Sequence, residues 1–86
     1  MTEHIVALMA IIVEDREPTD KLNELLHAYG DYIIGRMGIP YREKGINIVS
    51  IAIDAPQSEI AELSRKIELL DGISVRTAYS DIITEA

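Results

Sequence analysis

Gly30-Asp31-Tyr32-Ile33-Ile34-Gly35-Arg36-Met37-Gly38-Ile39-Pro40-Tyr41 is the stretch around which the chain divides. It gathers three of the five glycines, two of the four tyrosines, an arginine and a proline among aliphatic residues. Tyr32 to Met37 reads as a strand, and Gly35 inside it predicts a bulge or a close backbone approach. Gly38 to Tyr41 cannot continue a central strand, because Pro40 has no N–H to donate to a ladder. Arg42-Glu43-Lys44-Gly45 is charged and ends in glycine, which marks the tip of a hairpin.

Upstream, Ile5 to Val13 is an unbroken apolar run rich in β-branched residues, the pattern of a strand buried on both faces. Glu14-Asp15-Arg16-Glu17-Pro18 closes it, and Pro18 suits the first turn of a helix. Leu22, Leu25, Leu26 and Tyr29 then fall on one helical face, with acidic residues at its start, His27 near its end and Gly30 where a left-handed C-terminal residue is expected. Downstream, Ile46 to Asp54 alternates Val49, Ile51 and Ile53 with Ile46, Ile48, Ser50 and Ala52, a third strand. Pro56 opens a second helix with the stripe Ile60, Leu63, Ile67 and Leu70, which Asp71-Gly72 ends. Ile73 to Tyr79 is a fourth strand, and residues 80–86 read as a weakly ordered acidic tail.

The order β-α-β-β-α-β, with right-handed crossovers, predicts an α+β, ferredoxin-like fold: a four-stranded antiparallel sheet in the order 4-1-3-2 with two helices on one face. One domain spans 1–86, with its ordered core at about residues 4–79. A chain of 86 residues with 48% apolar residues is long enough for one core, and all its aromatic residues are tyrosine, so that core is aliphatic. Fifteen acidic against eight basic residues leave a charge of −7, which argues against a nucleic-acid footprint and against an anionic membrane surface. There is no cysteine, hence no disulfide, thiolate nucleophile or thiolate metal site. Glu3 and His4 stand where a signal peptide carries basic residues, and no apolar run reaches membrane-spanning length, so the cytoplasm is the expected location.

Two helices cover one face of such a sheet, and a solvated second face should alternate polar with apolar. Here strand one is apolar in both registers, and strand three keeps Ile46, Ile48 and Ala52 on its outer face. About six aliphatic side chains on that face form a patch of several hundred Å², large enough to be an interface. Hiding it is worth on the order of 10 kcal/mol before the cost of association. A homo-oligomer, dimer or tetramer, formed through the sheet face or an edge strand is therefore expected.

Candidate chemistry is sparse. His4 and His27 are the only histidines; a histidine near a helix C-terminus is first a dipole partner, so His27 is a weak metal candidate and no cofactor is implied. Asp15 and Arg16 lie in the first strand-to-helix loop, which often lines ligand sites in this topology and makes them ligand candidates, beside the plainer reading of a solvated, dipole-favoured loop. None of the serines has a nucleophile-elbow context, and Gly35-Arg36-Met37-Gly38 falls short of a dinucleotide fingerprint and precedes no helix. Arg36 in an apolar strand needs a partner. It is either an anion or carboxylate anchor beside Tyr32 and Tyr41, or an edge-strand charge that discourages aggregation or pairs across subunits, the second being favoured.

Four blocks, Val13-Glu14-Asp15-Arg16, Asn23-Glu24-Leu25-Leu26-His27, Ile34 to Tyr41 and Leu70 to Arg76, together resemble a small family of iron-only hydrogenase system regulators. The resemblance spans about residues 5 to 79, and the middle block is its most specific part. It implies a stand-alone ferredoxin-like domain related to ACT regulatory domains and to the C-terminal domain of the nickel-responsive repressor, with oligomers formed through the sheets. It also implies ligands held at subunit interfaces near the first strand-to-helix loop. The cysteine and histidine set of the nickel domain is absent here, so nickel sensing does not carry over; Glu17-Pro18-Thr19 stands where ACT domains carry a glycine, which argues against amino-acid binding.

The expected function is a non-catalytic regulatory module, an acidic oligomer that binds a small effector or a partner protein. A small oligomeric enzyme with an intersubunit site and a purely structural assembly partner are the alternatives. If the first helix packs on the sheet through the predicted stripe, Leu25→Ala should destabilise the fold by about 2–5 kcal/mol in urea titration; a change near zero would turn that helix away from the sheet.

Overall fold

Ala7, Met9, Ile11 and Val13 alternate with Val6, Leu8, Ala10 and Ile12, and the computed structural model sends the first set into the core and the second to the opposite face. It describes residues 3–14 and 19–85. Strand β1 runs Glu3–Glu14, helix α1 Asp20–Ala28, strand β2 Ile33–Tyr41, strand β3 Ile46–Ala55, helix α2 Gln57–Glu68 and strand β4 Ile73–Glu85, with a 3₁₀ turn at Arg42–Lys44. The strands form one sheet in the order β2-β3-β1-β4, every pair antiparallel. This is the expected order read from the other edge.

Leu22 and Leu26 from α1 and Ile60, Leu63 and Ile67 from α2 join Met9, Ile11, Ile51, Ile53 and Val75 in one buried cluster. Both helices therefore cover the same face. No buried residue of the core is polar or charged among the described residues. Leu25 packs on the rim of the cluster, half-buried, so its truncation belongs near the low end of the expected range. Lys66 Nζ donates to the Tyr29 hydroxyl at 3.1 Å and ties α2 to the end of α1.

The hairpin tip forms as expected, with Gly45 left-handed at φ 64°. Gly30 does not take that conformation. Its N–H donates to His27 O at 3.0 Å, and a Cβ there would come within 3.1 Å of that oxygen, so close approach is what calls for glycine. A register shift between Ile33 and Gly35 gives the bulge that Gly35 predicts.

Two strands run past their expected ends. β2 continues through Pro40, opposite Asn47, to Tyr41. It is an edge strand, where the missing N–H can face away from the ladder. β4 continues through the expected tail to Glu85, because β1 begins early enough to pair Glu3, His4 and Ile5 with Glu85, Thr84 and Ile83. A second irregularity, between Ile5 and Ala7, is bridged by Ser80, whose hydroxyl donates to Val6 O at 2.6 Å and accepts from Ile82 N at 3.0 Å. The long axis of 44 Å matches thirteen residues of β4 at about 3.3 Å each. No helix among the described residues is long and apolar enough to cross a membrane. The placement of Pro18 in the first helical turn lies outside the described residues.

The sheet's other face is bare. Leu8 (55% exposed), Met37 (58%), Ile39 (48%) and Tyr41 (41%) stand on it by register, with half-buried Ile12 and Ile48 between them.

On the helix side, the Thr77 hydroxyl is buried without a hydrogen-bond partner, the one such side-chain atom among the described residues. Thr77→Val removes that penalty at constant shape and is expected to raise stability by about 1 kcal/mol. A lower urea midpoint in the variant would mean that the hydroxyl is satisfied.

Candidate functional site

β2 is exposed from Ile34 to Tyr41. Neither helix reaches over it, which leaves a step between α1 and the edge of the sheet. The step is a cleft of about 340 Å³. Thr19, Leu22 and Asn23 of α1 and its cap form one wall, and Arg36, Gly38, Ile39 and Pro40 of β2 form the other. Val13 and Asn47 to Val49 close it below.

Arg36 lies opposite Ile51 and so projects on the helix side of the sheet. Its Nη2 donates to Asn23 Oδ1 at 3.2 Å. That partner is a neutral amide, so among the described residues no carboxylate balances the guanidinium. Gly38 lies opposite core residue Val49, and a Cβ built on it would meet nothing within 4 Å. The cleft thus has a floor that is aliphatic apart from the Asn47 amide, a cation at one rim and an unfilled position on one wall.

The sequence candidates are divided among several places. Asp15 and Arg16 lie outside the described residues. Arg36 is in the cleft. Tyr32 is at the other end of the sheet, where its ring meets the His4 ring edge-on at 5.9 Å and its carbonyl accepts from Asp54 N at 2.9 Å. Asp54 also approaches His4 Nδ1 at 3.6 Å and accepts from Thr84 Oγ1 at 2.7 Å. Tyr41 belongs to the bare face, opposite Ile46. His27 is on the exposed side of α1 near Asp20 and Glu24, and the described residues contain no group of three potential ligands placed to hold a metal. Asn23, Gly38 and Asn47 were not singled out from sequence. Asn23 and Gly38 fall inside the blocks that carry the resemblance, which was the available signal.

Among the described residues, the groups with displaced proton affinities lie elsewhere, on α2, where the hydrogen bond to the Tyr29 hydroxyl raises Lys66. Glu62 is held below the usual carboxylate range by its hydrogen bond from Arg65 (2.6 Å), and that bond raises Arg65 in turn. Both are exposed on α2, one turn apart.

Residues 5–77 match the TM1266-like family, described as "Iron-only hydrogenase system regulator, putative". The uncharacterized protein TM1266 from Thermotoga maritima shares 32% identity over 88% of this chain and 96% of its own, with a TM-score of 0.84. A formyltetrahydrofolate deformylase from Pseudomonas putida has the same fold over 85% of this chain and 28% of its own, at 12% identity and a TM-score of 0.61. The C-terminal domain LarC2 of a cyclometallase aligns over 94% and 59%, at 13% identity and a TM-score of 0.50. These two likenesses concern the fold alone. None of the curated proteins matches the chain.

The Thr84–Asp54 bond fastens the end of β4 to β3 across β1, away from the cleft. Thr84→Val should speed amide exchange over residues 82–85 and leave α1 unchanged. Protection as strong as in the parent chain would show that the ladder alone holds this end.

Proposed function

The chain belongs to the TM1266-like family, and from that premise we propose that it is a non-catalytic regulatory module of the hydrogenase system, a cytoplasmic homo-oligomer that responds to a small effector or a protein partner. The observation that carries this reading is the bare sheet face. Its centre is aliphatic apart from Ser50, from Leu8 and Ile12 across Ile48 to Met37 and Ile39, while His4, Asp54, Glu14 and Arg76 stand at its ends and edge. An apolar centre inside a polar rim is the anatomy of a protein interface. In plane, four strands of about ten residues cover roughly 600 Å², near the ~800 Å² per partner of a stable dimer. A second copy supplies a matching face under twofold symmetry.

The non-catalytic part draws on the electrostatics. Shifted proton affinities cluster where acid–base chemistry is done, and among the described residues they belong to Glu62, Arg65 and Lys66 on α2, away from the cleft. The likeness to the deformylase is a likeness of fold and carries no chemistry over. With a charge of −7, control of transcription would pass through another protein rather than through direct nucleic-acid contact.

Light scattering coupled to gel filtration tests the assembly. The parent chain should elute as a dimer or tetramer, and Ile48→Asp should shift it to monomer or aggregate. An unchanged profile at micromolar concentration would remove β3 from the interface, and a monomeric parent would end the oligomer reading. Deleting the coding sequence in its host should alter hydrogenase activity while the hydrogenase subunits remain intact; no change would end the regulatory one.

A further inference from the structure

We infer that the cleft between α1 and β2 binds a small aliphatic monocarboxylate, with Arg36 as its anchor and Gly38 as the position that keeps it open. The inference draws on the regulatory reading only in calling this ligand an effector.

The charge comes first. Arg36 presents a planar fork of donors, of which Nη2 is engaged by Asn23 Oδ1. The remaining donors suit a carboxylate, which a guanidinium grips through paired N–H bonds. Among the described residues, the cleft lining contains one cation, Arg36. A chain of net charge −7 repels polyanions, and one guanidinium matches one negative charge rather than a di- or triphosphate.

The body of the ligand follows from the floor. Val13, Leu22 and Val49, all buried core residues, underlie the cleft, with the Asn47 amide beside them. A volume of about 340 Å³ is at the small end of ligand sites. A short branched hydrocarbon fills such a space and excludes water from the Arg36 contact, which strengthens it.

Gly38 supplies the independent observation. Glycine in a strand interior weakens the strand and usually answers to a left-handed backbone or a crowding neighbour. Gly38 has neither: its φ is not in the left-handed region, and a Cβ would meet open space. What the missing side chain preserves is room in the cleft.

Isocaproate titrated into the full chain, followed by amide NMR, tests this. Saturable shifts are expected at Asn23, Arg36 and Gly38, and isocaproamide, the same shape without the charge, should bind at least about tenfold more weakly. Arg36→Gln should weaken isocaproate to a similar degree. Gly38→Val should remove binding at an unchanged melting temperature; if it fails to fold, the Arg36 variant decides. No saturable shift, shifts confined to another surface, equal binding of the amide, or full binding by either folded variant would overturn the site. Sizing the same samples separates the two ideas. No binding by a parent chain that remains an intact oligomer overturns the site alone, and binding by a monomeric parent overturns the oligomer alone.

Discussion

Strand β1 is paired on both sides, to β3 and β4, and its side chains feed two apolar layers at once. Backbone pairing leaves such a strand no freedom to turn one layer away from water, because a shift of one residue would only exchange the two sets. One layer, from Ala7 to Val13, is closed by two helices that bring five buried leucines and isoleucines to it. The other layer receives nothing from within the described chain. Much of what distinguishes this molecule from a self-sufficient α+β domain comes from that asymmetry.

The edges show how the exposure is managed. β2 carries Pro40, which cannot donate, a bulge after Ile33, and Arg36, all features that discourage open-ended strand addition. β4 carries Arg76, Asp81 and Glu85 along its length. Continued growth of the sheet is thus disfavoured at both margins, while the broad face keeps its aliphatic centre. A protein that blunts its edges but not its face is suited to closed stacking of sheets rather than to extension in the plane.

The architecture was legible in the sequence because it rests on period. Alternation in β1 and β3 and the three-and-four spacing of Leu22, Leu26, Ile60, Leu63 and Ile67 are local, and each pointed to the same packing. The end of β4 was not legible, since Ser80 to Glu85 is polar enough to read as a tail. Its order depends on pairing with Glu3 to Ile5 and on a hydroxyl reaching Val6, contacts more than seventy residues away in the chain. The site was partly legible. Arg36 was marked by its apolar surroundings, but its partner Asn23 comes from a helix thirteen residues earlier. Tyr32 and Tyr41 belong to the same dense stretch, yet Tyr32 sits in the turn before β2 and Tyr41 at its far end, eight strand steps of about 3.3 Å beyond Ile33. Proximity in sequence along a strand is distance in space, which is why one motif resolved into separate surroundings.

The cleft and the bare face lie on opposite sides of the sheet, but they share residues. Ile39 and Ile48 line the cleft, and by register both belong to the outer face. β2 is held to the rest of the sheet on one side only, so its position is the softest variable linking the two surfaces. A ligand wedged between α1 and β2 would fix that position, and so would a second sheet stacked on Ile39 and Met37. Linkage then demands reciprocity: whichever event orders β2 first lowers the cost of the other, and by the same factor in each direction. An edge strand exposed along its length is poorly suited to a rigid scaffold. It joins the cleft to the bare face, because Ile39 of β2, with Ile48 of β3 beside it, belongs to both.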